Sequence, residues 1–228
     1  MSAQRYLKNQ NAITAAEQEL LAQKRVVIIG CGGLGGYLVE QLGRLGVGYM
    51  RVVDPDVFEE SNLNRQLLGS MLNLGKPKVL AAKQRMQAIN PKVQVEEIQT
   101  TFTSQNADWL LGGFDLALDA LDTIPDRLLL EEAASRQGIP LVHAALSGWR
   151  GRLAVIYPGE SVLQTLYGGT AELHGEEEEQ GTLAFTAGAL ASLQAAEAAK
   201  VLLGKSVLRG QILEVDLLSL SFTLLKVL

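Results

Sequence analysis

A chain of 228 residues, 47% hydrophobic and 20% charged, has the length and apolar content to bury a sizeable core as one globular domain. Its formal charge of −5 points away from nucleic acid or an anionic membrane as the main partner. Cys31 is the only cysteine, and His143 and His174 are the only histidines, so neither a disulfide framework nor a zinc site built from Cys or His is expected. The first residues lack the apolar core of a signal peptide and no apolar run reaches transmembrane length, so the expected location is cytoplasmic.

Residues 1–24 are polar and alanine-rich, with Glu17, Leu20 and Leu21 spaced for a short amphipathic helix. Val26-Val27-Ile28-Ile29 is a β-branched strand that passes directly into Gly30-Cys31-Gly32-Gly33-Leu34-Gly35-Gly36. Leu34, Leu38, Leu42 and Leu45 recur at helical spacing, and Tyr49–Val53 forms a second strand ending on Asp54. Helix is predicted over Lys78–Ala88, strand over Val93–Ile98 and a short helix at Asp108–Leu111. Asp115–Ala120 reads as a buried strand, and Pro125 marks the start of a helix running through Ala134. Gly138 and Pro140 then precede a strand at Leu141–Ala145. This alternation predicts an α/β fold with a doubly wound, mostly parallel Rossmann-like sheet. After Trp149 the rhythm changes to a strand at Arg152–Tyr157, a glycine- and glutamate-rich loop containing Glu176–Glu179, and a long helix over Phe185–Leu203. Two antiparallel strands, Gln211–Leu217 and Ser221–Val227, are expected to close the chain.

Gly30, Gly32 and Gly35 fit G-x-G-x-x-G between a strand and a helix, with Asp54 about 20 residues further on. Glycines let the backbone turn tightly against a phosphate, and the helix N-terminus offers free N–H groups and a partial positive charge. Asp54 can accept hydrogen bonds from a ribose. This much says that a nucleotide binds, and it leaves an NAD(P)-dependent Rossmann oxidoreductase open.

A second motif separates the readings. Hydride-transferring enzymes need nothing special after the ribose-binding acid, yet here Asp54 is followed by Pro55-Asp56-Val57-Phe58-Glu59-Glu60-Ser61-Asn62-Leu63-Asn64-Arg65-Gln66. Ser61 to Gln66 is dense in hydrogen-bonding side chains around one arginine, and Gly75-Lys76-Pro77-Lys78 places two lysines ahead of a helix. Asp119-Ala120-Leu121-Asp122-Thr123 puts carboxylates at the carboxyl end of a strand, where ligands gather in open α/β sheets. A glycine turn, an arginine, a lysine and a carboxylate together suit a triphosphate and its Mg²⁺.

The ordered set GCGGLGG, VVDPDVFEESNLNRQ, GKPK, LDALDTIPDR, GTLAFTAGALASLQAAEAAKVLLG and ILEVDLLSLSFTLLKV, with RYLKNQ near the start, resembles the MoeB/ThiF/HesA proteins. These are related to the adenylation domains of ubiquitin-activating enzymes. The resemblance covers nearly the whole chain and implies one adenylation domain over 1–228, with a nucleotide-binding part at about 24–145 and a crossover loop at about 158–184. It further implies ATP- and Mg²⁺-dependent adenylation of the C-terminal glycine carboxylate of a ubiquitin-like sulfur carrier of the MoaD or ThiS type, ending in Gly-Gly, with release of pyrophosphate. By match to the motif, Gly30, Gly32 and Gly33 form the phosphate turn and Asp54 holds the ribose. Ser61, Asn62, Asn64, Arg65 and Gln66 line the nucleotide, Arg65 and Lys78 face the phosphates, and Asp122 ligates Mg²⁺ with Thr123 beside it. Asp56 is either a site residue or a turn former. The family likeness also implies a homodimer.

Three departures from the family pattern carry consequences. The opening motif reads Arg5-Tyr6-Leu7-Lys8 where relatives carry a second arginine that reaches the neighbouring subunit's ATP. Lys8 keeps the charge without bidentate geometry, so the role falls to Lys8 or Arg5. The two C-x-x-C pairs that hold zinc in many members are absent, so no zinc is expected. No cysteine lies near Gly181–Thr186, where relatives form a thioester or acyl persulfide, so the chain is expected to stop at the acyl-adenylate. Other residues have plainer readings: Asp119 as a structural strand-end acid, His143 as a satisfied core histidine, and Arg127 in a structural pair. Two further alternatives are adenylation of a non-protein carboxylate, such as a modified tRNA base, and an inactive scaffold that binds a carrier without turnover.

Overall fold

Four consecutive β-branched side chains, Val26 to Ile29, are fully buried in strand β1 (Arg25–Ile29) of a computed structural model that describes residues 4–168 and 180–227. A strand apolar on both faces belongs in the middle of a parallel sheet covered on both sides. β1 indeed pairs in parallel with β2 (Tyr49–Val53) on one side and β4 (Leu116–Asp119) on the other. β3 (Gln94–Ile98) extends the sheet beyond β2, and β5 (Leu141–Ser147) adds in parallel to β4. β6 (Arg150–Ile156), β7 (Gln211–Asp216) and β8 (Ser221–Lys226) follow antiparallel. The order among described residues is β3-β2-β1-β4-β5-β6-β7-β8, the mixed α/β sheet expected from the sequence.

Helices cover both faces. Val26 and Ile28 point into one core with α2 (Gly35–Leu45), α3 (Lys78–Ile89) and α7 (Ala184–Leu202), while Val27 and Ile29 point into the other with α4 (Ala107–Leu111), α5 (Ile124–Gln137) and α6 (Val162–Tyr167). Burying each such side chain is worth roughly 1.5–3 kcal/mol relative to leaving it in water. Ahead of the sheet, α1 (Ala15–Leu21) is the predicted N-terminal helix; Thr14 and Glu17 form a reciprocal capping box at its start. Alanines 187, 191, 195 and 198 are buried and let α7 lie close on α2 and across β5 and β6.

The structure differs from the sequence reading in a few places. The segment after β6, expected as loop, contains α6, whose first-turn Leu163 and Gln164 N–H groups are held by the Glu131 carboxylate at 2.6 and 3.0 Å. Gln4–Asn9 forms a 3-10 helix. The β5–β6 hairpin is tighter than predicted, running to Ser147 and resuming at Arg150, with Gly148 at φ +53 in the turn. Glu176–Glu179 lies outside the described residues. No described helix is long and apolar enough to cross a membrane.

Candidate active site

In the sheet order, β1 sends its connection toward β2 while its other neighbour, β4, leads away to β5. Open α/β sheets bind ligands in the crevice that this reversal opens beyond the carboxyl ends of the strands. A cavity of about 300 Å³ lies there, the lower end of the range for small-molecule sites. Its walls are the turn after β1, the acid after β2 and the loop after β4.

The turn after β1 needs glycine for measurable reasons. Gly30 has φ +98, and a Cβ on it would sit 2.3 Å from the Ala120 carbonyl oxygen. A Cβ on Gly35 would lie 2.0 Å from the Gly30 oxygen, so α2 can approach the turn only without one. Gly33 is different: a Cβ there would meet Ala187 Cβ at 3.7 Å and Arg65 Cγ at 4.0 Å, ordinary contacts, leaving an open cradle over the cavity. Between the glycines, the Cys31 thiol is fully buried. Burial first, then the Asp54 charge, push its ionisation far above the ordinary thiol range, which removes it as a nucleophile.

Asp54 is nearly buried and organises the turn as much as it faces the cavity. Its Oδ2 accepts from the Cys31 N–H at 2.6 Å and its Oδ1 from the Asp56 N–H at 2.8 Å. Burial raises its pKa despite the nearby Lys78 ammonium and these two donors. Lys78, at the start of α3 and 5% exposed, pairs with Asp56 at 2.8 Å and sits 4.0 Å from Asp54. Its charge is thus aimed at the cavity and held between two acids. Asp56, left open as site residue or turn former, lines the cavity and is Lys78's closest partner.

The Ser61–Gln66 segment divides into two groups. Arg65 and Gln66 line the cavity, and buried Gln66 Oε1 has no hydrogen-bond partner among the described residues. Ser61, Asn62 and Asn64 lie outside that lining and shape the segment instead. Arg65 Nη1 donates to the Ser61 carbonyl at 3.0 Å and to Asn64 Oδ1 at 2.9 Å. Asn64 Nδ2 donates to the Thr182 carbonyl at 3.2 Å, tying this segment to the chain just ahead of α7. Asn62 Oδ1 accepts from the Glu59 N–H in a capping pair.

Beyond β4, Asp122 is exposed and lines the cavity. Thr123 does not line it; its hydroxyl donates to Asp126 Oδ2 at 2.7 Å and accepts from the Asp126 N–H at 3.3 Å, capping α5. Arg127 is 2% exposed and also borders the cavity, its Nη2 and Nε donating to the Leu121 carbonyl at 2.8 and 3.2 Å. Asp119 is fully buried against His143, as a strand-end structural acid should be. Arg5 and Lys8 lie away from the cavity in this chain, and Arg5 donates to the Ile89 carbonyl and Asn90 Oδ1 at the end of α3. Thr100, Thr101 and Phe102 complete a wall that the sequence did not single out, because nothing local marks a short post-strand loop as ligand-facing.

A glycine turn at the switch point, with Arg65, Lys78 and Asp122 lining one cleft beyond the strand ends, is the place where open α/β folds bind their ligands. The ThiF family profile matches residues 4–227, and the chain belongs to that family. It is 38% identical to the sulfur carrier protein adenylyltransferase of Thermus thermophilus over 231 residues, spanning 92% of this chain and 81% of that protein. It is 34% identical to the SAMP-activating enzyme E1 of Haloferax volcanii, spanning 90% of this chain and 77% of that one. Among solved structures, E. coli MccB with SeMet MccA superposes with a TM-score of 0.85 at 21% identity, over 100% of this chain and 72% of MccB. PaaA superposes with a TM-score of 0.78 at 23% identity, and the chain spans 66% of its length. At these identities the two structures speak for the fold alone.

Proposed function

We propose that this chain is an adenylyltransferase that uses ATP and Mg²⁺ to activate the C-terminal glycine carboxylate of a ubiquitin-like sulfur carrier. The observation that carries the reading is the convergence of Gly33, Arg65, Lys78 and Asp122 on one cleft at the switch point. The residues fit the implied nucleotide and metal. Gly33 leaves a cradle that any side chain would fill, and the unpartnered Gln66 Oε1 borders it. Asp122, exposed on the cavity wall, would hold Mg²⁺ as a carboxylate ligand. Bound there, the metal supplies charge neutralisation on the phosphates.

A carboxylate is already a competent nucleophile, so no strong general base is needed. One carrier carboxylate oxygen forms a bond to the α-phosphorus, the bond from that phosphorus to the bridging oxygen breaks, and pyrophosphate leaves with the electron pair. The chain's work is alignment and electrostatics. Gly30, Gly32 and Gly33 present backbone to the phosphates, Asp54 takes the ribose, and Arg65 and Lys78 offset negative charge gathering on the departing pyrophosphate. Lys78, resting against Asp56 at 2.8 Å, lines the same cavity and would face the phosphates there. Ser61, Asn62 and Asn64 hold Arg65, and Thr123 fixes the start of α5 behind Asp122. Residues 1–228 act as one adenylation domain in the cytoplasm, with the nucleotide part at about 24–145. A homodimer would bring Arg5 or Lys8 to the partner's site.

With Cys31 buried and unreactive, the product is the carrier acyl-adenylate, without zinc and without a covalent enzyme adduct. Intact mass analysis after mixing chain, carrier, ATP and Mg²⁺ should show carrier bearing one AMP and unmodified enzyme. A thiol-sensitive enzyme–carrier adduct would overturn the cysteine-free step.

A further inference from the structure

Asp122 is exposed, yet the residue immediately before it, Leu121, is held through both its N–H and its carbonyl by buried groups. The Leu121 N–H donates to Asp119 Oδ1 at 2.9 Å, and the Leu121 carbonyl accepts both the Arg127 Nη2 and Nε donors. Asp119 is itself immobilised two ways. Its Oδ2 is 2.6 Å from His143 Nδ1, and its backbone carbonyl accepts from Gln194 Nε2 at 2.7 Å, a side chain that also donates to the Val142 carbonyl. Asp119, His143 and Gln194 are each at most 1% exposed and Arg127 is 2% exposed.

Burying a carboxylate, an imidazole, an amide and a guanidinium costs desolvation that a merely apolar strand end would avoid. Asp119 and Arg127 meet at one residue, Leu121, the first taking its N–H and the second its carbonyl, while His143 and Gln194 hold Asp119. β4 ends at Asp119, so three residues later the chain could adopt many conformations, and a loop that wanders by an ångström misplaces its carboxylate. Fixing both the donor and the acceptor of Leu121 removes that freedom at the residue before Asp122.

We propose that Asp119, His143 and Arg127 are positioning residues: a buried clamp on Leu121 that presets the Asp122 carboxylate for the nucleotide-bound metal ion. Gln194 extends the clamp to α7. This rests on the function proposed above. Partners behind a metal ligand characteristically affect metal affinity by about 10–100-fold when removed.

Two readouts test it on the full chain. The first is the Mg²⁺ concentration that half-saturates binding of a non-hydrolysable ATP analogue, by calorimetry. The second is amide exchange at Leu121 in the ligand-free protein. Asp119→Ala should raise the Mg²⁺ requirement at least about tenfold and speed Leu121 exchange, while metal-free analogue binding stays as it was. Asp119→Asn keeps an oxygen for the Leu121 N–H and an amide group that can donate to His143 Nδ1, and should stay within about threefold of the unaltered chain, on the same reasoning. Arg127→Lys, which keeps charge but loses the two-pronged grip on one carbonyl, should shift the Mg²⁺ requirement in the same direction if Asp119→Ala does not fold. An unchanged Mg²⁺ requirement in a folded Asp119→Ala or Arg127→Lys chain overturns the clamp alone. Loss of metal-dependent analogue binding in the unaltered chain overturns the functional reading and the clamp together.

Discussion

Lys78 offers the sharpest energetic test because it joins the fold to the chemistry. Replacing it with methionine keeps the stem and deletes the charge, leaving the buried Asp54 carboxylate without the cation 4.0 Å away. Two unit charges at that distance attract by about 4 kcal/mol at an effective dielectric near 20. Asp54 keeps its two backbone donors, Cys31 and Asp56 N–H, which offset part of the loss. The 2.8 Å contact with Asp56 adds little, since that carboxylate is mostly in water, where such pairs are worth about 0–1 kcal/mol. The expected destabilisation of Lys78→Met is therefore about 2–3 kcal/mol near neutral pH, within the scale for breaking a buried pair. The sign with pH is fixed by Asp54. Burial already raises its pKa above the ordinary 3.8, and losing Lys78 raises it further. A raised carboxylate favours the folded state below the ordinary value and loses that benefit as pH climbs through the folded one. The deficit of Lys78→Met should thus shrink on acidification toward pH 4. Urea unfolding followed by tryptophan fluorescence measures all of this, with an unchanged slope as the control. A deficit below about 0.5 kcal/mol, or one independent of pH, would refute the assignment of Lys78 as the counter-charge of Asp54.

Other outcomes follow from the same geometry. Asp122→Ala, at an exposed position, should abolish pyrophosphate exchange and leave urea unfolding within about 0.5 kcal/mol of the unaltered chain. Arg65→Ala should lower exchange by about 10²–10³-fold, and near-normal exchange in either variant would mean the site is misassigned. Gly30→Ala should destabilise by well over about 2 kcal/mol, since strained backbone at φ +98 adds to the clash with Ala120. Gly33→Ala should fold normally yet weaken ATP binding at least about tenfold, a contrast that calorimetry and unfolding together can check. Glu17 is held down to about pKa 2, first by the Lys205 ammonium and then by the Thr14 N–H and hydroxyl. A lowered carboxylate stabilises above its ordinary 4.5 and loses that contribution as pH falls toward 2. Glu17→Gln should flatten stability across that acid window, and an unaltered profile would show the contact idle.

Much of the fold was legible because periodicity is a local signal. β1, α2, β2 and α3 follow from runs such as Val26–Ile29 and the leucines of α2, and the structure moves their ends by a residue or so. α6 was not legible, since its first turn is held by Glu131, a residue about 30 positions away that no local window connects to it. In the site, the glycine turn, Arg65, Lys78 and Asp122 could be named from motif spacing. Their partners could not: that Lys78 rests between Asp54 and Asp56, that Ser61 and Asn64 hold Arg65 rather than line the cavity, and that Arg127 grips the Leu121 carbonyl all depend on how strands and loops meet. The expectation of a structural Asp119 holds in its 2.6 Å contact with His143 Nδ1. His143 is core but not fully satisfied, its buried Nε2 having no hydrogen-bond partner among the described residues. Neither residue's link to the Asp122 loop was visible beforehand.

Carrier-dependent exchange of labelled pyrophosphate into ATP tests the central claim most directly. With Mg²⁺ and a carrier ending in a free Gly-Gly carboxylate, label should enter ATP, and amidating that terminal carboxylate should stop it. No exchange with the free carboxylate, alongside tight uptake of a nicotinamide dinucleotide and none of ATP, would contradict it.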